Sequence, residues 1–231
     1  GLQFFINDET LSTRFFRTDS LIATVDSKDQ VAIYSRGLHI LNKEGEEIKA
    51  FRTTKICDED TATHLAAVPG TDLIVSGHQT SLSDFGLNYN IEDKSRVLMW
   101  ELEKATCIEL KKEFSGRLWS LSASADGRSV SFNYGVKDST TGLWHSVVEI
   151  YDLILAKEVC SLEVLNARFN YQNQIVTYDT EYETISVFSA TDCTLQTEFE
   201  IGKEPLALSF NSEGDILAVA SEGLVSFWSL N

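Results

Sequence analysis

The sequence predicts an all-β fold of repeated four-stranded antiparallel units, on three observations. Short segments alternate apolar and polar residues with a period of two and are enriched in Val, Ile, Thr and aromatics, the pattern of half-buried strands. Clusters of Asp, Gly, Asn and Ser separate them, residues that tolerate positive φ or bond their own backbone in turns. No segment shows persuasive helical amphipathicity.

The first landmark is a polar turn leading into a strand. It occurs in "FFRTDSLIATV" from Phe15, "AVPGTDLIVS" from Ala67, "ASADGRSVSF" from Ala123, "FNYQNQIVTY" from Phe169 and "FNSEGDILAVA" from Phe210. The first strongly apolar residues after these turns are Leu21, Leu73, Val130, Ile175 and Ile216, spaced by 52, 57, 45 and 41 residues. The second landmark is an alternating segment ending on an aromatic: "QVAIYS", "RVLMWEL", "VVEIYDL", "TISVFSA" and "LVSFWSL", with Tyr34, Trp100, Tyr151, Phe188 and Trp228. A further strand follows three of these and opens near Cys107, Cys160 or Cys193. In the first copy, "GLHILNKEGEEIKAF" reads as a third-to-fourth strand hairpin after "QVAIYS". Pro69 and Pro205 fall beside turns or strand starts, where a missing N–H is tolerated.

The unit is thus four strands, a to d, repeated five times. Such a sheet cannot bury both faces alone, and radial stacking of such sheets gives a β-propeller. The segments "VLMWELEKATCIEL" and "VEIYDLILAKEVCSL" resemble the c and d strands of WD40 repeats, which often end c on Trp-Asp and carry Cys early in d. The resemblance spans Leu11 to Asn231. Gly77-His78 departs from it by falling at the end of a b strand, and no copy is expected to assemble the Trp–Ser/Thr–His–Asp hydrogen-bonded set of such blades.

The last copy stops after strand c. Leu2–Ile6 is expected to supply its missing strand, closing a five-bladed ring without an open sheet edge, as WD40-like propellers commonly close. The alternative is a ring completed by a partner or by further chain. Residues 1–231 are read as one propeller domain, with a place in a longer chain as the alternative, since Gly1 is not an initiator Met.

Net charge is −16, which disfavours direct nucleic-acid binding. No apolar run approaches the ~18–20 residues of a membrane span. The four cysteines lie far apart without a CxxC pair, which fits reduced thiols and a cytoplasmic or nuclear location.

Nucleotide, zinc-protease and EF-hand motifs are absent, and His39, His64, His78 and His145 share no local metal-ligand spacing, so neither cofactor nor metal is expected. "SGHQTS" and "TGLWHS" place His near hydroxyls, a relation that only spatial proximity makes catalytic. Five-bladed glycosidases need carboxylates about 5–10 Å apart. Asp19, Asp72, Asp126 and Asp215 fall in a–b turns, Asp29 and Asp179 near b–c connections, and nothing marks a matched pair. A glycan or small-molecule propeller using its central channel is the alternative function.

The informative irregularities are two b–c insertions, "HQTSLSDFGLNYNIEDKS" and "GVKDSTTGLWHS", in neighbouring copies. Both should emerge on one face, offering Phe85, Leu87, Tyr89, Leu143, Trp144 and His145. Long aromatic loops on a rigid scaffold are typical binding surfaces. The expected function is a non-catalytic protein–protein interaction scaffold, with Phe85, Leu87, Tyr89, Trp144 and His145 contacting a partner of basic surface.

Overall fold

The computed structural model describes residues 5–6, 9–10, 22–25, 30–34, 37–51, 61–80, 94–138, 140–179, 183–202, 205, 207–211 and 213–230. Among them every regular element is a β-strand, and all pairings are antiparallel. Among the described residues no helix is long and apolar enough to cross a membrane. The chain divides into two compact units, Gly1–Leu121 and Ser122–Asn231.

The first unit opens with β1 (Phe5–Ile6) paired to β2 (Glu9–Thr10). A four-stranded sheet follows, ordered β3 (Ile22–Val25), β4 (Val31–Tyr34), β5 (Leu38–Leu41), β6 (Glu47–Phe51). The next has β7 (Thr61–Ala67), β8 (Leu73–Thr80), β9 (Lys94–Glu101) and β10 (Thr106–Ser115). Alternation makes these two sheets pack. Tyr34, Leu38, Ile40 and Phe51 of the first meet Ile74, Leu98 and Trp100 of the second in one buried cluster. The Trp100 ring lies edge-on to Tyr34 and Phe51, centroids 6.2 and 6.0 Å away, a favoured aromatic geometry.

The third sheet contains β11 (Arg117–Ala123), within which the division between units falls, β12 (Ser129–Lys137), β13 (Trp144–Asp152) and β14 (Lys157–Leu162). The fourth contains β15 (Leu165–Phe169), β16 (Gln174–Asp179), β17 (Thr184–Ser189) and β18 (Leu195–Glu200). The last has three strands among the described residues: β19 (Ala207–Phe210), β20 (Ile216–Ser221) and β21 (Leu224–Ser229). In the second unit Val148, Ile150 and Ile175 form one interior between the third and fourth sheets. Val176, Ile185, Val187, Leu217 and Val219 form another between the fourth and fifth.

The a–b turns share a backbone pattern. Val68, Ser124, Asn170 and Asn211 each donate N–H across the turn to Leu73, Ser129, Gln174 and Ile216. Each carbonyl of that first set then accepts from Thr71, Gly127, Asn173 and Gly214. Asn173 adopts φ 58°, a left-handed conformation that Asn tolerates better than most residues. A second recurrence lies two residues past the c-strand aromatics: Leu102, Leu153 and Leu230 are buried and donate N–H to Asp72, Arg128 and Asp215.

Two expectations require correction. The first copy is out of phase by one strand, because "LIATV" forms β3 and "QVAIYS" forms the second strand rather than the third. The hairpin of β5 and β6 then completes the sheet. Of Leu2–Ile6, Phe5–Ile6 pairs with Glu9–Thr10, and Leu2, Gln3 and Phe4 lie outside the described residues. Finally, Cys160 and Cys193 are not reduced thiols but a disulfide, with Cα atoms 6.1 Å apart. It joins β14 to the β17–β18 turn, tying the third sheet to the fourth. Cys107 is also disulfide-bonded.

Candidate functional site

Half of the second insertion is strand. The β12–β13 ladder runs without interruption from Ser129 opposite Asp152 to Lys137 opposite Trp144. Gly135, Val136 and Lys137 therefore pair with Ser146, His145 and Trp144. Only residues 138–143 form the connection, and Asp138 organises it. One carboxylate oxygen, Oδ1, accepts from the N–H groups of Thr140 (2.8 Å) and Thr141 (2.6 Å) and from Thr141 Oγ1 (3.0 Å). The Asp138 N–H reaches the Leu143 carbonyl, and Gly142, at φ 71°, donates back to Asp138. These bonds, that from the Thr141 N–H foremost, hold the Asp138 carboxyl below its ordinary pKa. On this fixed tip Leu143 is 63% and Trp144 49% exposed, and His145 is exposed beside them. Phe85, Leu87 and Tyr89 lie outside the described residues. Their flanking strands β8 and β9 stay paired out to Thr80 opposite Lys94.

Below the tip the hairpin carries buried polar side chains. Ser146 Oγ donates to Asn133 Oδ1 at 3.0 Å. On the opposite face the Tyr134 hydroxyl donates to Glu149. Burial, reinforced by that carboxylate, pushes the Tyr134 pKa upward. These bonds tie the two strands together in this register, although the buried Asn133 Nδ2 has no hydrogen-bond partner among the described residues.

A second network lies in the first unit. Trp100 Nε1 donates to Ser76 Oγ at 2.7 Å, and Ser76 Oγ lies 2.7 Å from His78 Nε2. Ser76 and His78 share a face because they are two apart on β8, and Trp100 reaches that face from β9, opposite Ile74. A Trp100–Ser76–His78 chain is thus assembled, with His78 supplied by β8. Ser76 and His78 have no exposed surface, and Trp100 is 1% exposed. The Ser–His contact is not open to a substrate, so its geometry serves packing.

The other histidines are separate. His39 bonds Glu47 at 2.8 Å, and His64 lies 3.0 Å from Thr63 Oγ1. Among the described residues no group of His, Cys, Asp and Glu is arranged to hold a metal. The turn aspartates are committed locally: Asp72 accepts the Glu103 N–H, Asp126 accepts Ser124 Oγ and the Arg128 N–H, and Asp215 accepts Asn211 Nδ2. Asp19 and Asp29 lie outside the described residues. One feature had no signal in the sequence, a cavity of about 420 Å³ on the fourth sheet. Its lining includes Thr177, Thr184, Ser186, Phe188, Glu198 and Glu200, and Ser186 Oγ donates to Glu198 at 2.8 Å.

Neither the protein-family models nor the curated proteins compared with the chain give a match.

Proposed function

We propose that the chain is a non-catalytic protein–protein interaction scaffold, its five successive sheets being the blades of a divergent WD40-like β-propeller. The observation carrying the functional part is the Leu143–Trp144 tip. A large apolar pair stands exposed on a hairpin whose register and turn are fixed by hydrogen bonds, so little conformational entropy is lost when it docks. The recurrent a–b turns and the Trp100–Ser76–His78 set support the architectural part. Phe85, Leu87 and Tyr89 of the other insertion extend the proposed surface, and His145 flanks it. The −16 charge favours a partner with a basic surface.

The test compares wild type with a Leu143→Ser/Trp144→Ser variant in affinity capture from source-cell extract, and the recovered protein is then rebuilt into a complex from purified components. Loss of the complex with unchanged thermal unfolding supports the reading. An equally strong complex from the variant rejects it.

A small-molecule module is the second reading, and the cavity beside Glu198 and Glu200 favours it. Two carboxylates beside the Phe188 ring suit a small organic cation, and a thermal-shift response to such cations, lost in Glu198→Gln/Glu200→Gln, would support it. Compartment belongs to the same proposal. A cytoplasmic or nuclear location follows from the sequence spacing, whereas a persistent Cys160–Cys193 disulfide favours an oxidising compartment. Thiol counting on protein isolated under alkylating conditions separates the two.

A further inference from the structure

We propose that the β13–β14 turn is the apolar anchor of a second docking surface, taking a basic, amphipathic segment of a partner protein. Comparison of three turns singles it out. Glu101 pairs with Thr106 and Asp152 with Lys157, and the Ser189 N–H bonds the Thr194 carbonyl. The β9–β10, β13–β14 and β17–β18 turns therefore each hold four residues between these positions. Each buries its first residue, Leu102, Leu153 or Ala190. Each ends on a left-handed one, Ala105, Ala156 or Cys193, at φ 53°, 48° and 55°. The two residues between are exposed in all three. They are Glu103-Lys104 in the first turn and Thr191-Asp192 in the third, but Ile154-Leu155 in the second, 74% and 55% exposed.

The turn closes without these side chains. Asp152 Oδ1 accepts the Ile154 and Leu155 N–H groups, each at 2.8 Å, and the Tyr151 hydroxyl donates to the Ala156 carbonyl. A backbone that carries Glu-Lys or Thr-Asp elsewhere is held here by polar bonds, while two large aliphatic groups stay in water. Folding gains little from them, and a contact that buries them gains their transfer free energy.

The surroundings extend the surface and set its partner. In the second unit, consecutive antiparallel strands bring the a–b and c–d turns of a sheet to the same end. Hydrogen bonds join those turns. Arg128 Nε donates to Asp152 Oδ2 at 2.9 Å, the Arg128 N–H to Asp126 Oδ1 at 3.0 Å, and the Asp126 N–H to Asn173 Oδ1 at 3.2 Å. Tyr171, in the same turn as Asn173, is 60% exposed. Asp126, Glu158, Asp192 and Glu213 are exposed at this end, against Lys157 and an Arg128 already paired with Asp152. Apolar anchors among surplus acids fit a segment that sets aliphatic residues between Lys or Arg. The same surplus opposes an anionic lipid surface and a second copy of the chain.

The probe is a labelled synthetic peptide of repeated Lys-Lys-Leu-Leu units, followed by fluorescence anisotropy against the full chain. Saturable binding is expected, and a Lys-Lys-Ser-Ser peptide of equal charge should bind at least about tenfold more weakly. The decisive variant is Ile154→Glu/Leu155→Lys, which installs the residues of the β9–β10 turn and leaves net charge unchanged. It should weaken binding at least about tenfold with thermal unfolding unchanged, and Tyr171→Ser should weaken it severalfold. Leu143→Ser/Trp144→Ser should leave it intact. Absence of binding, equal binding by the two peptides, or unchanged binding to either turn variant would overturn the proposal. Loss of binding in Leu143→Ser/Trp144→Ser would also overturn it, by assigning the peptide to the β12–β13 tip. So would co-sedimentation with phosphatidylserine vesicles, or a concentration-dependent dimer, that Ile154→Glu/Leu155→Lys abolishes.

Discussion

Replacing Ser76 with Ala tests whether the buried Trp100–Ser76–His78 set holds the first unit together. The substitution removes one oxygen and leaves a small void, so packing loss is minor. The main effect is that Trp100 Nε1 and His78 Nε2 both lose the Oγ that lies 2.7 Å from each. A buried polar group deprived of its partner costs roughly 1–3 kcal/mol, and two such groups give about 2–6 kcal/mol. That is a large share of the ~5–15 kcal/mol that stabilises a typical domain. Equilibrium urea unfolding followed by tryptophan fluorescence is the assay, and the midpoint should fall with little change in slope. A double-mutant cycle sharpens it. Once Trp100→Phe has removed the indole N–H, Ser76→Ala should cost about 1 kcal/mol less than in wild type. Ser76→Thr, which keeps the hydroxyl, should retain more stability than Ser76→Ala. If Ser76→Ala lies within about 0.5 kcal/mol of wild type, the range of ordinary surface changes, or if the two substitutions simply add, the hydrogen-bond reasoning fails.

Three further outcomes follow from single contacts. Cys160→Ser/Cys193→Ser removes a cross-link of sequence separation 33; the chain-entropy relation gives about 4 kcal/mol of lost stability, read as a lower urea midpoint that reductant reproduces in wild type. Gly77→Ala would set a Cβ 2.0 Å from buried Leu118 Cδ2. The displaced side chain should destabilise the protein by about 1–3 kcal/mol, and Leu118→Ala in the same chain should relieve the clash while adding its own cavity cost. Burial alone would raise the Asp152 pKa, but the Leu155 and Ile154 N–H groups and Arg128 outweigh it and hold it low. A depressed folded pKa contributes stability above the unfolded value, and this is lost as pH falls through the folded value. The melting temperature of wild type should therefore drop more steeply than that of Asp152→Asn below about pH 4.

Local chemistry made the strands and turns legible. Alternation in "RVLMWEL" requires one buried face, and Asp, Gly or Asn at each a–b turn marks where the chain reverses. The phase of the first sheet was not legible, because "LIATV" and "QVAIYS" are both strand-like and only the pairing decides which comes first. The Ser76–His78 relation left a faint signal, two polar residues spaced by two directly after the apolar run Leu73–Val75. Recognising it required the β8–β9 register that brings Trp100 to the same face. The Cys160–Cys193 pair left none: 33 residues separate the cysteines, and they meet only when the third sheet packs against the fourth. Their resemblance at the start of d strands was also misleading, since Cys160 pairs with Ile150 inside the ladder while Cys193 sits in a turn at φ 55°.

Trp100 and Trp144 show how burial separates architecture from a candidate surface when residue type does not. Both lie at the end of a strand in an extended hairpin, and both neighbour a histidine, through Ser76 in one case and along the chain in the other. Trp100 places its N–H on a buried hydroxyl and its ring against Tyr34 and Phe51, so its environment accounts for it fully. Trp144 stands half exposed beside Leu143, on a turn that Asp138 already stabilises without help from either side chain. Folding gains little from a large apolar group left in water, and the hairpin needs neither residue to close. An exposed pair of this size on a preorganised tip is therefore better accounted for by what it can contact than by what it supports.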